Sequence, residues 1–225
     1  MKRKFFFILM TTMFLVNCSG FKERTVTDLE CRRLEISFSF NSDNYPWLLG
    51  KKYPQIAVWI KSETGDEQTL FVTQGAGKND WYFADERPGS LPVWFGVKSK
   101  EEKLNLDAVS GATPGGDSHV IYWPVPESYH NKNVTVFLEA NVSFDYNEFY
   151  TKEKDKPGFS DVNGQPSILW QVSFKIDGAP KGVTPEVIGH GHVLGENSNI
   201  DPDMSKITTA LELFNYIHIT YYPGR

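Results

Sequence analysis

Apolar and polar residues alternate along several short segments of this chain. In residues 34–40, LEISFSF, every second residue is apolar. A period of two places the apolar side chains on one face of a β-strand. Comparable segments, rich in β-branched and aromatic residues, follow at 55–61, 68–73, 119–125, 133–144, 167–176, 186–194 and 214–222. The pattern therefore predicts a protein built mainly from short strands.

Turn residues separate these segments and indicate how the strands connect. The sequence ETGD at residues 63–66 joins two of the segments and is typical of a β-hairpin. Asn163 and Gly164 mark a tight turn before the segment at 167–176. The sequence shows neither a long amphipathic helix nor an alternation of strands with helices. The predicted fold class is therefore all-β, an antiparallel β-sandwich.

Two segments have helical character. Residues 205–213 are expected to form a short helical segment near the C-terminus, which Asp203 or Ser205 would cap. Residues 91–97, LPVWFGV, contain a proline that excludes a central strand. An edge strand and a short helix carrying Trp94 both fit them. We therefore expect a sandwich with one short C-terminal helical segment.

The N-terminus has the features of an export signal. A basic start, KRK, is followed by the apolar residues 5–16, which are too few for a bilayer span of about 20 residues. The run ends at Asn17-Cys18 and resembles a bacterial lipoprotein signal, in which the cysteine is lipidated and becomes the mature N-terminus. Asn17 departs from the usual small residue, and a plain secretory signal with an incidental cysteine is the alternative.

These features divide the chain into three parts. We expect a lipoprotein signal peptide at 1–17, a lipidated Cys18 that opens a tether at 18–31, and a single β-sandwich domain at 32–225. The lipid would hold the protein to a membrane on the periplasmic or surface side of the cell envelope. Ser19 after the cysteine favours the outer membrane, by analogy with enteric lipoproteins.

The charge balance narrows the choice of partners. The chain has 23 Lys and Arg and 28 Asp and Glu, and three of the basic residues belong to the signal. The mature part therefore carries 20 basic against 28 acidic residues, a net charge of −8. An acidic chain lacks the basic face that phosphate neutralisation requires. We expect no nucleic-acid partner, and instead a membrane, through the lipid, and another envelope protein.

Four segments together resemble a known family. They are residues 56–72, 106–126, 138–170 with its LEANVSFDYNEFY and NGQPSILW, and 207–221. They are similar to a bacterial family of predicted periplasmic proteins of unknown function, often encoded beside flavin transferases and PepSY-type membrane proteins. The resemblance covers roughly residues 53–221. It implies an immunoglobulin-like β-sandwich and an association with an extracytoplasmic redox system, and it brings no catalytic residues.

One short motif suggests a covalent flavin. Residues 107–113, DAVSGAT, match the D-x-x-[ST]-G-A-T signature at which a flavin transferase esterifies a threonine with FMN. Thr113 would carry the flavin on an exposed turn that begins at Ser110, and the small Gly111 and Ala112 would let the transferase approach. Asp107 would be read by the transferase or help to hold the turn. The sequence PGGD follows and makes a turn, so an ordinary sandwich loop is the favoured interpretation. No cofactor is therefore expected, and FMN on Thr113 is the alternative.

Histidines provide a second candidate site. His190 and His192 would lie on the same face if their segment is a strand, and His218 in the last strand could come near them. Imidazole pairs suit zinc or copper. No spacing specifies a third ligand, so a surface loop with solvated histidines is favoured over a metal site.

Aromatic and acidic residues give weaker signals. Trp81, Tyr82 and Trp94 near Arg87 could line a groove, although large rings more often pack in a core. The acidic residues at 145–148 and 196–203 could bind calcium, but solvated loop acids are favoured.

No nucleophile, base and orienting group can be assembled from the sequence. We therefore expect a non-enzymatic binding or accessory protein of the envelope, with contacts made by loops at 106–117 and 189–203. A flavin-carrying electron carrier and a periplasmic metal-binding protein are the alternatives.

Overall fold

The computed structural model describes residues 31–41, 43, 54–78, 81, 87–101, 109–111 and 118–224. The proposed signal peptide, Cys18 and most of the tether lie outside this part of the chain, as do Asp107 and Thr113. Within the described residues, no helix is both long and apolar enough to cross a bilayer.

The described chain forms a β-sandwich of two sheets, as the alternation of apolar residues predicts. The strands are β1 Arg33–Phe40, β2 Gln55–Ser62, β3 Glu67–Thr73, β4 Ser110–Gly111, β5 Ser118–Pro124, β6 Asn133–Asn141, β7 Ile168–Lys175, β8 Lys181–Val183, β9 Glu186–His190 and β10 Phe214–Tyr222. All eight alternating segments are strands, although β6 and β9 end earlier than expected. The very short β4 and β8 were not predicted.

The smaller sheet has the order β5-β1-β10-β8, and the larger one has the order β4-β3-β2-β6-β7-β9. Neighbouring strands are antiparallel except for β3 and β4, which pair in parallel over two residues. The first and last strands are neighbours, with Ile36 opposite Ile219. The β2–β3 hairpin is confirmed, with Ala57 opposite Val72.

The main core lies between the two sheets. The alternating residues Leu34, Ile36 and Phe38 of β1 are fully buried, and Ile56 and Ile60 of β2 meet them from the larger sheet. The intervening residues of β2 are also buried, in a second apolar cluster. The larger sheet is thus covered on both faces, which explains why β2 reads as a nearly continuous apolar run.

The second cluster is built around a short helix on the outer face of the larger sheet. Helices α1 (Gln74–Lys78) and α2 (Pro92–Lys98) follow β3 in the chain. Pro92 opens α2, where a proline costs no hydrogen bond. Trp94 is fully buried and donates its indole N–H to the Oγ1 atom of Thr69 at 3.1 Å. The helical alternative for residues 91–97 is therefore confirmed.

The C-terminal helical segment consists of two single 3-10 turns, Met204–Lys206 and Thr209–Glu212. Asp203 caps the first turn by accepting the backbone N–H of Ser205 at 3.0 Å, as one of the two predicted caps would. Three further 3-10 turns lie at Pro88–Ser90, Glu127–Tyr129 and Asp161–Asn163.

Candidate binding cleft

A cleft of about 470 Å³ opens beside the last residue of β9. We call it the His190 cleft. Its lining consists of residues 190–193 and 199–202 together with Tyr150, Pro166 and Asn197. The predicted contact loop at 189–203 therefore forms one side of it. Its volume lies within the usual range of ligand sites, about 300–1,000 Å³.

The loop on this side of the cleft is fixed by its own hydrogen bonds. His190 and Asp201 exchange two backbone hydrogen bonds, both 2.9 Å long. Further along the loop, Asn199 donates its backbone N–H to the Asn197 side chain, and Asp203 donates its own to the Asp201 side chain. Turns closed by a side-chain oxygen in this way fix the conformation of a loop that has no regular secondary structure. The cleft is therefore formed before any ligand arrives.

The back of the loop packs against α2. A Cβ atom added at Gly96 of α2 would lie 2.5 Å from the Cβ of Ser198, and one added at Gly191 would lie 2.4 Å from Cγ of Pro92. Both glycines are thus required by close approach rather than by a turn. The loop rests on the helix that covers the larger sheet.

Three polar groups that line the cleft have no hydrogen-bond partner within the described chain. The Nδ1 atom of His190 faces the carbonyl oxygen of Gly191 at 2.9 Å. A carbonyl can only accept, so Nδ1 carries a proton and Nε2 is the nitrogen left over. The Tyr150 hydroxyl and the Oδ2 atom of Asp201 are also unpaired, since Oδ1 alone receives the Asp203 amide.

The charge around Tyr150 is negative. Burial raises the pKa of the Tyr150 phenol, and the carboxylates of Asp201 and Asp203 raise it further. The capping hydrogen bonds from Ser205 keep the pKa of Asp203 low, with smaller contributions from Lys206 and His190. Both aspartates are exposed, while His190 is only 9 % exposed.

A buried carboxyl group lies directly behind the cleft. Glu139 of β6 is fully buried and accepts hydrogen bonds from the Ser167 hydroxyl at 2.6 Å and from the amides of Trp94 and Val93 at 2.7 and 3.3 Å. Burial raises the pKa of Glu139 to about 7, and the hydrogen bonds oppose that rise. Gly191 separates this carboxyl group from the cleft, and its amide donates to the Ser167 carbonyl at 2.9 Å.

A larger groove of about 820 Å³ near the β2–β3 turn is a weaker candidate. Two of its carboxylates already have partners. Glu101 accepts the amide and hydroxyl of Thr69, and Asp66 accepts the Thr64 hydroxyl at 2.6 Å. Unpaired groups, rather than volume, distinguish the His190 cleft.

The structure separates His218 from the other two predicted histidines. His190 ends β9, whereas His192 lies in the following loop and His218 lies in the smaller sheet opposite Ser37. His192 uses its Nδ1 atom to accept the Glu196 amide at 3.3 Å, and its Nε2 atom lies 3.6 Å from the Glu196 carboxylate. Among the described residues, no three His, Cys, Asp or Glu side chains form a group that could hold a metal ion. His218 is therefore not a third ligand.

The proposed flavin motif is only partly described. Ser110 and Gly111 form β4, which pairs in parallel with Val72 and Thr73. The predicted turn is thus wrong for these two residues, because their backbone belongs to the edge of the larger sheet. Asp107 and Thr113 lie outside the described residues, so attachment of FMN remains a prediction.

The aromatic groove is not formed as predicted. Trp94 is core, and Trp81 packs on the same apolar cluster. Arg87 lies 4.7 Å above the Trp81 ring and donates to Ser143 and Asn163. This basic and aromatic group ties the segment before α2 to the neighbouring loops. Tyr82 lies outside the described residues.

The two carboxylates of the acidic residues 145–148 have different surroundings. Asp145 is buried and accepts hydrogen bonds from Gln165 and Thr209, whereas Glu148 is exposed.

Cys31, just before β1, is disulfide-bonded. The sequence contains one other cysteine, Cys18. A cysteine that carries a thioether-linked lipid has no sulfur left for a disulfide. A lipid on Cys18 and a disulfide between the two cysteines of this sequence therefore exclude each other.

No protein-family model matches this chain, and no characterised protein or solved structure is significantly similar to it. Its function must therefore be argued from the cleft.

Proposed function

We propose that this chain is a lipid-anchored envelope protein that binds a partner through the His190 cleft and catalyses no reaction. The observation that carries the proposal is that three polar groups without a hydrogen-bond partner in the described chain, from Tyr150, His190 and Asp201, line one cleft beside a loop fixed by its own hydrogen bonds. A preorganised loop loses little conformational entropy on binding. Binding sites on β-sandwiches are commonly built from such loops.

The sequence supplies the anchoring part of the proposal. A lipid on Cys18, followed by a short polar tether, would hold the sandwich close to a membrane, with the outer membrane favoured. The resemblance to proteins encoded beside flavin transferases makes an extracytoplasmic redox system the proposed setting. The partner would then be another protein of the envelope.

Site-specific photo-crosslinking in the native host tests the binding role. A photoreactive residue at the exposed Asn199 reports on the cleft, and one at Gly178, where a side chain would meet nothing within 4 Å, is the matched control. We expect one identified partner to be captured from position 199 and not from position 178. Equal capture from both positions, or none from position 199, would contradict the proposal.

Two alternative functions remain as proposals with direct tests. FMN on Thr113 would make the protein yellow, and the colour would be lost in Thr113→Val. A metal bound by His190 and His192 would copurify without chelator and disappear when both are replaced by alanine. Protein purified from the host's own membranes serves for both measurements.

A further inference from the structure

The unpaired groups of the His190 cleft share one chemical property. Each of them can accept a hydrogen bond from a donor. His190 holds its Nδ1 proton on the Gly191 carbonyl, so Nε2 is the ring nitrogen left for a ligand, and it accepts a hydrogen bond when the ring is neutral. Asp201 presents a free carboxylate oxygen, and Asn197 and Asn199 line the same rim. Tyr150 adds a π-face and a hydroxyl group that can accept.

The electrostatic environment favours a positive charge. Asp201 and Asp203 both act on Tyr150. Lys206 and His190 both act on Asp203, so part of that charge is already balanced. No lysine or arginine of the described chain forms an ion pair with Asp201. The charge of Asp201 is therefore available to a ligand.

We propose that the His190 cleft binds a guanidinium or ammonium group, held between the carboxylate of Asp201, the Nε2 atom of His190 and the ring of Tyr150. A cation satisfies all three at once, because it donates hydrogen bonds to the first two and lies against the electron-rich face of the third. A neutral ligand can donate a hydrogen bond to the carboxylate but leaves its charge unbalanced, and an anionic ligand is repelled. The inference rests on the proposed binding role of the cleft and names the chemistry of its ligand.

Elsewhere in the chain, a similar arrangement is occupied by a cationic side chain. Arg33 lies 4.1 Å from the centre of the Tyr222 ring and donates to Glu35 at 3.0 Å. There a ring and a carboxylate hold a guanidinium between them. In the cleft the ring of Tyr150 and the carboxylate of Asp201 are present without a cation from the described chain.

The test uses a matched pair of probes. N-acetyl-arginine amide carries the guanidinium, and N-acetyl-citrulline amide has nearly the same shape without the charge. We expect the arginine probe to shift the side-chain NMR signals of His190 and Tyr150 and to bind at least about tenfold more tightly than the citrulline probe. Equal binding of the two probes would overturn the proposal.

Variants test the assigned residues. Asp201→Asn keeps the oxygen that accepts the Asp203 amide, so the loop should fold, and we expect it to weaken the arginine probe about tenfold or more. Tyr150→Phe removes the hydroxyl group and keeps the ring, so it tests the hydroxyl separately from the ring. Glu63→Gln is the control, because the β6–β7 and β7–β9 registers place its turn at the far end of the larger sheet from His190. Unchanged binding in Asp201→Asn would overturn the assignment.

Two sources of such a cation can be told apart. Tighter binding of acetyl-Ala-Arg-Ala amide than of spermidine or free arginine indicates a side chain of a partner protein, and the reverse order indicates a small polyamine or amino acid. If no cationic probe binds while position 199 still crosslinks to its partner, the cation inference fails and the proposed function stands. If no cationic probe binds and position 199 does not crosslink to a partner, both the cation inference and the proposed function fail.

Discussion

The carboxylate of Glu139 accepts a 2.7 Å hydrogen bond from the backbone amide of Trp94, although 45 positions separate the two residues in sequence. The carboxyl group thereby joins the middle of the larger sheet to the first turn of α2. Ser167 completes the contact from the adjacent strand, and Gly191 closes it from the side of the cleft. A single buried acid thus supports both the second apolar cluster and the back of the binding loop.

Glu139→Gln should remove a defined part of the pH dependence of stability. Burial raises the pKa of Glu139 from 4.5 to about 7, so the folded protein holds this proton more tightly than the unfolded chain. The stabilisation is therefore present below about pH 4.5 and is lost as the pH rises towards about 7. We expect the wild type to lose roughly 3 kcal/mol more than Glu139→Gln between about pH 4 and about pH 8 in urea unfolding.

The control for this experiment is Glu153→Gln. Glu153 lies on the surface, where it pairs with Lys156. Its replacement should leave the pH dependence nearly as it is in the wild type. If Glu139→Gln and the wild type lose the same stability with rising pH, Glu139 is not protonated in the folded protein near neutrality.

Gly191→Ala should destabilise the region where β9 meets α2. The added Cβ would lie 2.4 Å from Cγ of Pro92 and 2.7 Å from the Ser167 hydroxyl, so the loop or the helix would have to move. Overpacking of this kind costs about 1–3 kcal/mol. Gly178→Ala is the matched control, because its Cβ would meet nothing within 4 Å, and its effect should stay within about 0.5 kcal/mol. Similar unfolding midpoints for the two variants would argue against the close packing.

Gln165→Glu should create a buried pair of like charges. Gln165 is only 1 % exposed, donates to Asp145 at 2.9 Å and accepts the Thr208 amide at 2.7 Å. A glutamate there would oppose the carboxylate of Asp145, which would raise the pKa of the pair. We expect a loss of about 2–4 kcal/mol at neutral pH that is partly recovered on acidification, because one shared proton relieves the repulsion.

The control for this variant is Ser173→Glu, at an exposed position of β7 whose register partner is Thr135. It should change stability little and without recovery in acid. An effect of Gln165→Glu that did not depend on pH would show that lost packing, and not charge, causes it.

The strands were predictable because their signal is local. In β1 the residues Leu34, Ile36 and Phe38 alternate with polar neighbours, and burial of that face follows from the period alone. The irregular course of the loop after His190 was also predictable from its glycines and polar residues. The two 3-10 turns at 204–212 replaced a longer helix, because Thr208 has a backbone conformation that a helix does not contain.

The chemistry of the cleft was less predictable because it depends on distant contacts. In the sequence, Glu139 occupies an ordinary polar position of an alternating strand. It is buried only because α2 packs over this face of the sheet. Tyr150 belongs to a loop far from His190 in sequence. Its position depends on the fold of residues 142–166, where Phe144 and Asp161 have positive φ angles. No local pattern in the sequence specifies either contact.

The state of the two cysteines should distinguish the proposed lipoprotein from a disulfide-bonded secreted protein. If Cys18 carries lipid in the native membrane, the mature chain keeps one thiol, that of Cys31. We expect an intact mass that begins at Cys18 and includes acyl chains, with Cys31 alkylated by iodoacetamide before any reduction. A chain exported by a plain secretory signal, with Cys18 retained, is the control. There Cys31 should react only after reduction, because it is then disulfide-bonded. Native protein without acyl mass, whose cysteines react only after reduction, would replace the lipid anchor with a disulfide that ties the N-terminal segment to the start of β1.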